Sequence, residues 1–223
     1  YRDPDHPGSG GGLYWGAAGA GGGLVRIAAD WIVLDGTIRA DGQAGDNTAR
    51  PAGSGGGIKL SAGVVTGWGH LSADGGVGRE HYGAGGSGGG GRIAVLYEHS
   101  CGGGLLENTT AHGGIHTGAP GTGAPGTVYL EDGAGRGVLR IDSHGTESPD
   151  TWTPLGTAAD TLFTADRLVI SGTGVVAAPE HELPLAVETL ELRDGAMLTH
   201  RPTSAAGDYS LQVSVSDTLL VDA

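Results

Sequence analysis

The sequence predicts an all-β fold, a parallel β-helix (β-solenoid) whose coils are closed by glycine-rich turns and loops. Three observations predict it. Glycine supplies 47 of the 223 residues, its runs recur at a fixed interval, and a short strand of alternating pattern follows each run. A wide globular core is not expected, because only 5 % of the residues are aromatic and large side chains dominate such cores, each contributing about 1.5–3 kcal/mol when buried.

Glycine triplets mark the start of each repeat. The last glycines of three triplets are Gly23, Gly57 and Gly91, so both intervals are 34 residues. Glycine in a regular element costs about 0.5–1 kcal/mol relative to alanine, so repeated glycines need a conformational reason. Tight corners, with positive φ or close backbone approach, supply that reason.

The segment after each triplet alternates with a period of two. In the second copy Ile58, Leu60 and Ala62 share one face, and Lys59 and Ser61 share the other. This is the pattern of a strand with one buried side. A second short strand is indicated by segment 36–42, which aligns with segment 69–75 at an offset of 33. Each unit is therefore two short strands and a glycine-rich return.

The glycine content falls in the second half of the chain. We assign residues 1–131 to repeats with a period of about 34 residues, and residues 132–223 to a less glycine-rich continuation of the same domain. Alternating segments 167–170, 189–192 and 211–221 follow one another at about twenty residues. That spacing favours successive coils of a solenoid over hairpins.

Three segments carry a resemblance to a known family: 53–62, 70–76 and 86–95. They resemble the glycine-rich right-handed parallel β-helix repeats of very large bacterial surface proteins, closely over residues 8–131 and loosely beyond. The resemblance implies a right-handed parallel β-helix whose unit recurs in tandem, with a strand such as 211–221 leading into the next glycine-rich turn. It assigns no catalytic residue.

Charge and composition exclude several partners. The net charge of −13 and the scattered Arg residues disfavour nucleic acid, which needs clustered cations. The sequence contains no run of 18 apolar residues, so a membrane-spanning helix is not predicted. Cys101 is the single cysteine, so an internal disulfide is excluded. The chain starts without Met and stops in mid-pattern, and we interpret it as a fragment whose signal or anchor lies elsewhere.

The acidic residues occur mostly in Asp-Gly pairs, which are typical of turns. The same carboxylates form the best candidate calcium site, since hard cations take several oxygens from closely spaced turns. Register would stack two of the candidate ligands on neighbouring coils. The four candidates are Asp41, Asp46, Asn47 and Asp74. Solvated turns and a calcium site both remain open, and calcium is the one cofactor considered.

Histidine and cysteine suggest a second, weaker metal cluster. His99 and Cys101 are followed by His112 and His116, and imidazole and thiolate are zinc ligands. The His-x3-His spacing suits a helix, however, and segment 113–114 is Gly-Gly, which disfavours one. Loop histidines are the alternative reading, and the sequence leaves their role undecided.

Catalytic motifs are not found, so an enzyme is not predicted. Segment 19–23 lacks the Lys-Ser/Thr of a phosphate-binding loop, and no Gly-x-Ser-x-Gly elbow joins a strand to a helix. The exposed edges of a solenoid are a hazard, because an unpaired strand templates further pairing. No capping helix is predicted at either terminus.

The functional prediction is therefore a non-catalytic structural or adhesive segment of an extracellular fibre, sheath or giant surface protein. Its partners would be copies of itself or tandem repeats of the same chain, with surface polysaccharide as a further candidate, and its location extracellular or at the cell surface. Two alternatives stay open: a carbohydrate-binding or polysaccharide-degrading β-helix, and a calcium-stabilised passenger domain. A groove with clustered carboxylates and basic residues would favour the enzyme, and chain-to-chain contacts would favour the fibre.

Overall fold

Every regular element of the described residues is a β-strand. The computed structural model describes residues 1–12, 18–45, 51–79, 85–117, 121–147, 151–203 and 209–222, and no helix occurs in these ranges. Most neighbouring strands run parallel. The predicted all-β fold is confirmed, and the arrangement fits a β-solenoid.

The strands of the described residues are, in chain order, β1 (Leu24–Val33), β2 (Thr37–Arg39), β3 (Gly57–Thr66), β4 (His70–Ser72), β5 (Gly78–Arg79), β6 (Arg92–Cys101), β7 (Thr109–Thr110), β8 (His116–Thr117), β9 (Thr127–Glu131), β10 (Gly137–Asp142), β11 (Thr153–Leu155), β12 (Phe163–Ser171), β13 (Val176–Pro179), β14 (Leu185–Arg193), β15 (Met197–Leu198) and β16 (Val213–Val221).

Strands from successive repeats lie side by side. The large sheet has the order β1-β3-β6-β9-β10-β12-β14-β16, and smaller sheets have the orders β2-β4-β7, β5-β8 and β11-β13-β15. One coil, meaning one turn of the chain around the stack, thus contributes a strand to the large sheet and a strand to a smaller one. The predicted offset of 33 between the second strands is confirmed, since Thr37 pairs with His70.

The glycines stack in a column, but the interval differs from the predicted one. Leu24 pairs with Gly57, and Gly57 pairs with Arg92. The column is therefore Gly23, Gly56, Gly91 and Gly126, with intervals of 33, 35 and 35 residues. A β-carbon on Gly91 would overlap the carbonyl oxygen of Gly56. Close stacking of backbones, rather than positive φ, requires glycine at Gly56, Gly91 and Gly126 of this column.

Ladders of aliphatic side chains fill the first section, which comprises β1–β9. Ile58, Leu60 and Ala62 are buried, as their alternation predicts. Ile58 and Leu60 are continued on the next coil by the buried Ile93 and Val95, and Ala62 by the half-buried Tyr97. Burial of a large aliphatic side chain contributes about 1.5–3 kcal/mol. Two ladders run through β1, β3, β6 and β9: Val25-Ile58-Ile93-Val128 and Ile27-Leu60-Val95-Leu130.

A hairpin between β9 and β10 reverses the direction of the strands. Its turn is residues 132–136, in which Oδ1 of Asp132 accepts the backbone N–H groups of Ala134 at 2.9 Å and Arg136 at 3.0 Å. The Arg136 guanidinium pairs with the same carboxylate at 2.6 Å. The sequence carries no Asn-Gly pair that would have indicated this turn. The turn lies where the glycine content of the chain falls.

At this hairpin the core moves to the other face of the sheet. Leu130 opposes Val138, and both pack with the first core. Tyr129 opposes Leu139, and both pack with a second core. Because directly opposed residues of an antiparallel pair lie on one face, the two cores lie on opposite faces of the same sheet.

The second section, β10–β16, is again a stack of parallel strands. Strands β12, β14 and β16 follow β10 as parallel neighbours, so segments 167–170, 189–192 and 211–221 are not joined as hairpins, and their arrangement fits the predicted successive coils. Two ladders run through them: Leu139-Leu168-Leu190-Leu219 and Ile141-Ile170-Leu192-Val221.

A strap formed by residues 1–6 crosses from the first section to the second. The Tyr1 ring packs edge-on against Phe163 with centroids 5.9 Å apart, inside the second core. Arg2 pairs with Glu131 of β9 at 2.6 Å. The strap therefore spans the junction at which the core changes face.

Farther along the strap, Asp3 anchors it to the first section. Its carboxylate pairs with Lys59 at 2.9 Å and with Arg26 at 3.1 Å. Arg26 also donates to the carbonyl oxygen of Pro4 at 3.2 Å. Lys59 is thus held on the outer face of β3, as the alternation predicts.

Candidate functional site

Two of the four predicted calcium ligands lie on neighbouring coils. The backbone N–H of Asp74 donates to Oδ1 of Asp41 at 2.9 Å. Asp46 and Asn47 lie outside the described residues. The stacking of Asp41 on Asp74 is as predicted, whereas calcium binding stays a prediction.

Asp41 is surrounded by hydrogen-bond donors. The Ser72 hydroxyl donates to Oδ1, and the Arg39 guanidinium donates to Oδ2 through Nε at 2.7 Å. Burial acts to raise the pKa of Asp41, but these donors and the Asp74 N–H outweigh it and hold the pKa below its usual range. The carboxylate is therefore ionised and used within the fold.

Asp74 repeats the arrangement on the next coil. Its Oδ1 accepts the backbone N–H of His112 at 3.0 Å, and its Oδ2 accepts the Thr110 hydroxyl at 3.0 Å. The His112 ring lies 3.3 Å from Oδ2 through Nε2. Segment 109–113, Thr-Thr-Ala-His-Gly, is therefore a third copy of the Ala-Asp-Gly turn, with His112 in place of the aspartate. Because histidine replaces the aspartate, comparison of the repeats in the sequence did not identify this copy.

We call this arrangement the aspartate ladder, meaning Asp41, Asp74 and the His112 turn. Each carboxylate accepts a hydrogen bond from a backbone N–H of the following coil. The aspartate ladder therefore fixes how neighbouring coils stack. Across the part of the chain that is described, no group of three or more His, Cys, Asp or Glu side chains is arranged to hold a metal ion.

The weaker histidine–cysteine candidate is not assembled into a metal-binding group within the described residues. His99 and Cys101 lie at the end of β6 in the large sheet, while His112 follows β7 and His116 begins β8 in the two-stranded sheet. Burial raises the pKa of the Cys101 thiol, with a smaller contribution from Glu107. A thiol with a raised pKa is a poor ligand, and Cys101 instead packs against the first core.

Other Asp-Gly pairs adopt the predicted turns. Asp194 has φ of 55° and Gly195 has φ of 76°, so both occupy the left-handed region. Asp35 accepts the backbone N–H of Trp68 on the next coil at 3.0 Å.

An open groove of about 840 Å³ crosses the large sheet on the side away from the first core. Its lining includes Trp31, which is 69 % exposed, together with Glu98 and His99. Gly63 also lines it, and a β-carbon there would lie 3.6 Å from Cδ2 of His99. Carboxylate and aromatic groups along a groove are features of saccharide sites.

The carboxylates at the end of this groove are already paired. Glu131 is buried and accepts from Arg2 and from the Tyr129 hydroxyl, at 2.6 and 2.9 Å. Burial and the hydrogen bond to Glu131 raise the pKa of Tyr129 to about 12. Asp132 is tied to the hairpin turn. These groups hold the strap and the hairpin together.

Both outermost strands of the large sheet are open edges. Within the described residues, no strand pairs with the outer side of β1 or of β16. Ladder residues are exposed on both: Ile27 by 37 % on β1, and Leu219 by 60 % and Val221 by 67 % on β16. Leu24, which pairs with Gly57 outside the ladders, is also exposed, by 39 %. The ladders of both cores therefore end in uncovered residues, and these two edges form the candidate assembly site.

Comparisons with protein-family models, with curated proteins and with solved structures found no match to this chain. Among the described residues there is no helix of the length and apolarity that crossing a bilayer demands.

Proposed function

We propose that this chain is a non-catalytic structural segment of an extended fibre, sheath or giant surface protein at the cell exterior. One observation carries the proposal: the stacked ladders of both sections reach the two edges of the large sheet and end there uncovered. A stack of coils is stabilised by its nearest neighbours, so uncovered ladder ends favour continuation of the stack over an isolated domain.

Right-handed coils are part of the proposal. Crossovers between parallel strands are right-handed in about 98 % of cases. At the β9–β10 hairpin the strand direction reverses while the stack continues. Coils of the same hand can follow such a reversal only if their connections move to the opposite face of the sheet. The two cores do lie on opposite faces, which supports the same hand on both sides.

The roles of the carboxylates support a structural assignment. Asp41 and Asp74 bond the backbone of the next coil. Glu191, which is buried, lies between Arg167 at 2.5 Å and Arg193 at 2.6 Å. A catalytic carboxylate needs access to substrate, and these groups are used to hold coils together.

The test is the shape of a tandem fusion. The sheet spans roughly 34 Å from β1 to β16, because seven spacings of about 4.8 Å separate its eight strands. Two copies joined by a flexible linker of about 15 residues, long enough to reach from β16 to Tyr1 on β12 of the next copy, should scatter X-rays as one rod of twice that length with an unchanged cross-section. Two beads on a flexible joint would contradict the proposal, as would release of products from a polysaccharide panel that stops on Glu98→Gln.

A second candidate function, binding of a neutral polysaccharide, is favoured by Trp31 beside the groove. An exposed indole stacks on sugar rings, while Asp30 and Glu98 in the lining disfavour anionic chains. Affinity electrophoresis in xyloglucan, mannan and polygalacturonate tests it. Retardation by a neutral polymer should be lost in Trp31→Ala and kept in Trp68→Ala, a matched variant of an exposed tryptophan outside the groove lining.

A further inference from the structure

We infer that β16 of one copy pairs antiparallel with β1 of a second copy, in the register of the internal β9–β10 pair, so that copies assemble head to tail. The inference rests on the proposed structural function and names its partner as a second copy of this chain.

The template is the β9–β10 junction inside the chain. It joins two antiparallel strands whose cores lie on opposite faces of the sheet. Strand β1 has the direction and the core face of β9, because parallel pairs connect them through β3 and β6. Strand β16 is connected in the same way to β10 through β12 and β14. The free edges of β16 and β1 are therefore related as β9 and β10 are.

The register can be transferred along the ladders. Leu130 of β9 corresponds to Ile27 of β1, and Val138 of β10 corresponds to Thr218 of β16. Since Leu130 opposes Val138, Ile27 should oppose Thr218. Continuing along the strands gives four pairs across the contact: Ile27 with Thr218, Arg26 with Leu219, Val25 with Leu220, and Leu24 with Val221.

This register brings the exposed apolar residues of the two edges together. Leu24 meets Val221, and Val25 meets Leu220; all but the half-buried Val25 are exposed on the free chain. Removing such side chains from water is the main driving force for association. Arg26 opposes Leu219, and its guanidinium is already held away by Asp3, which leaves its aliphatic stem over the leucine.

Neither edge strand contains proline or lysine, two residues that block free edges. The bulge in β16 lies between Val215 and Thr218, outside the segment 218–221 that would pair with β1. The two paired surfaces differ, so the contact is heterologous and each added copy exposes a new edge. An open-ended filament is the expected product.

Sedimentation velocity over a concentration series tests the inference. The wild type should form species larger than the 22.1 kDa monomer. Leu24→Lys and Val221→Glu each place a charge opposite an apolar residue, and each should weaken association at least about tenfold. Carried together in one chain, the two charges oppose one another across the contact and should restore it. Leu162→Lys, at an exposed leucine outside both edge strands, should behave as wild type, and circular dichroism verifies folding.

A mixing experiment separates head-to-tail pairing from two-fold pairing of identical edges. Leu24→Lys leaves β16 free, and Val221→Lys leaves β1 free. The edges that a mixed dimer still exposes would set lysine against lysine, so an equimolar mixture of these two variants should form dimers that do not grow. Growth of Leu24→Lys alone, through β16 against β16, would overturn the inference. So would a wild type that stays monomeric while the tandem fusion is a rod, a result that leaves the proposed function standing. A fusion that is not a rod would overturn the proposed function itself.

Discussion

Asp41 accepts the backbone N–H of Asp74 from the next coil at 2.9 Å, and this contact joins two repeats through a side chain rather than through the sheet. The same relation recurs between Asp74 and the N–H of His112. A ladder of this kind ties the turns of adjacent coils together in a register that backbone pairing of β2, β4 and β7 also sets.

Removal of the Asp41 carboxylate should destabilise the first section. Asp41→Ala leaves the Asp74 N–H without its acceptor, whereas the Ser72 hydroxyl keeps Oδ2 of Asp74 at 3.3 Å, and a partly buried donor left unsatisfied costs about 1–3 kcal/mol. Chemical denaturation should show a loss in that range. Glu147→Ala, at an exposed carboxylate, serves as the control and should change the free energy of unfolding by less than about 0.5 kcal/mol.

The same carboxylate should give stability an acid dependence. Hydrogen bonds keep the pKa of folded Asp41 below its usual range despite burial. A carboxyl with a lower pKa when folded stabilises fully above its unfolded pKa of about 3.9, and that contribution is lost as pH falls through the folded pKa. The difference in Tm between wild type and Asp41→Asn should therefore be largest near neutral pH and shrink below about pH 4. Equal differences at both ends of a pH series would contradict this.

Alternation and turn chemistry made much of the first section predictable. Ile58 and Leu60 face a core because period-two patterns place them together, and the offset of 33 aligns Asp41 with Asp74. The column glycine was predicted one residue late in the second copy, at Gly57 instead of Gly56. Segment 55–57 is three identical residues, and the register depends on the strand pairing, which the triplet alone does not reveal.

The change of core face was not predictable from the sequence. Strand β9 offers apolar residues to both sides, with Leu130 in the first core and Tyr129 in the second. Its turn uses Asp132 and a glycine at φ of 78°, Gly135, in place of an Asn-Gly pair. The open edges were equally hidden, because exposure of Val221 depends on which strand is outermost.

The strap should contribute to stability through the Tyr1 hydroxyl. That group accepts the N–H of Gly156 at 2.9 Å and donates to the carbonyl oxygen of Pro154 at 3.1 Å. Tyr1→Phe keeps the packing on Phe163 but removes both hydrogen bonds, at a cost of about 1–3 kcal/mol. Tyr1→Ala loses the packing too and should cost more. Thermal unfolding measures both, and a Tyr1→Ala no worse than wild type would show that the strap is dispensable.

The glycine column offers a matched pair of substitutions within one structural feature. A β-carbon on Gly91 would overlap the carbonyl oxygen of Gly56 on the preceding coil, whereas a β-carbon on Gly23, in the outermost coil, meets no atom within 4 Å. Gly91→Ala must therefore push two coils apart across β3 and β6, and we expect a loss of more than about 3 kcal/mol or failure to fold. Gly23→Ala should be neutral or stabilise by about 0.4–1 kcal/mol, because alanine reduces the entropy of the unfolded chain. Denaturant unfolding of the two variants beside the wild type decides the matter: equal effects would mean that loss of glycine flexibility, rather than close stacking of coils, sets the requirement.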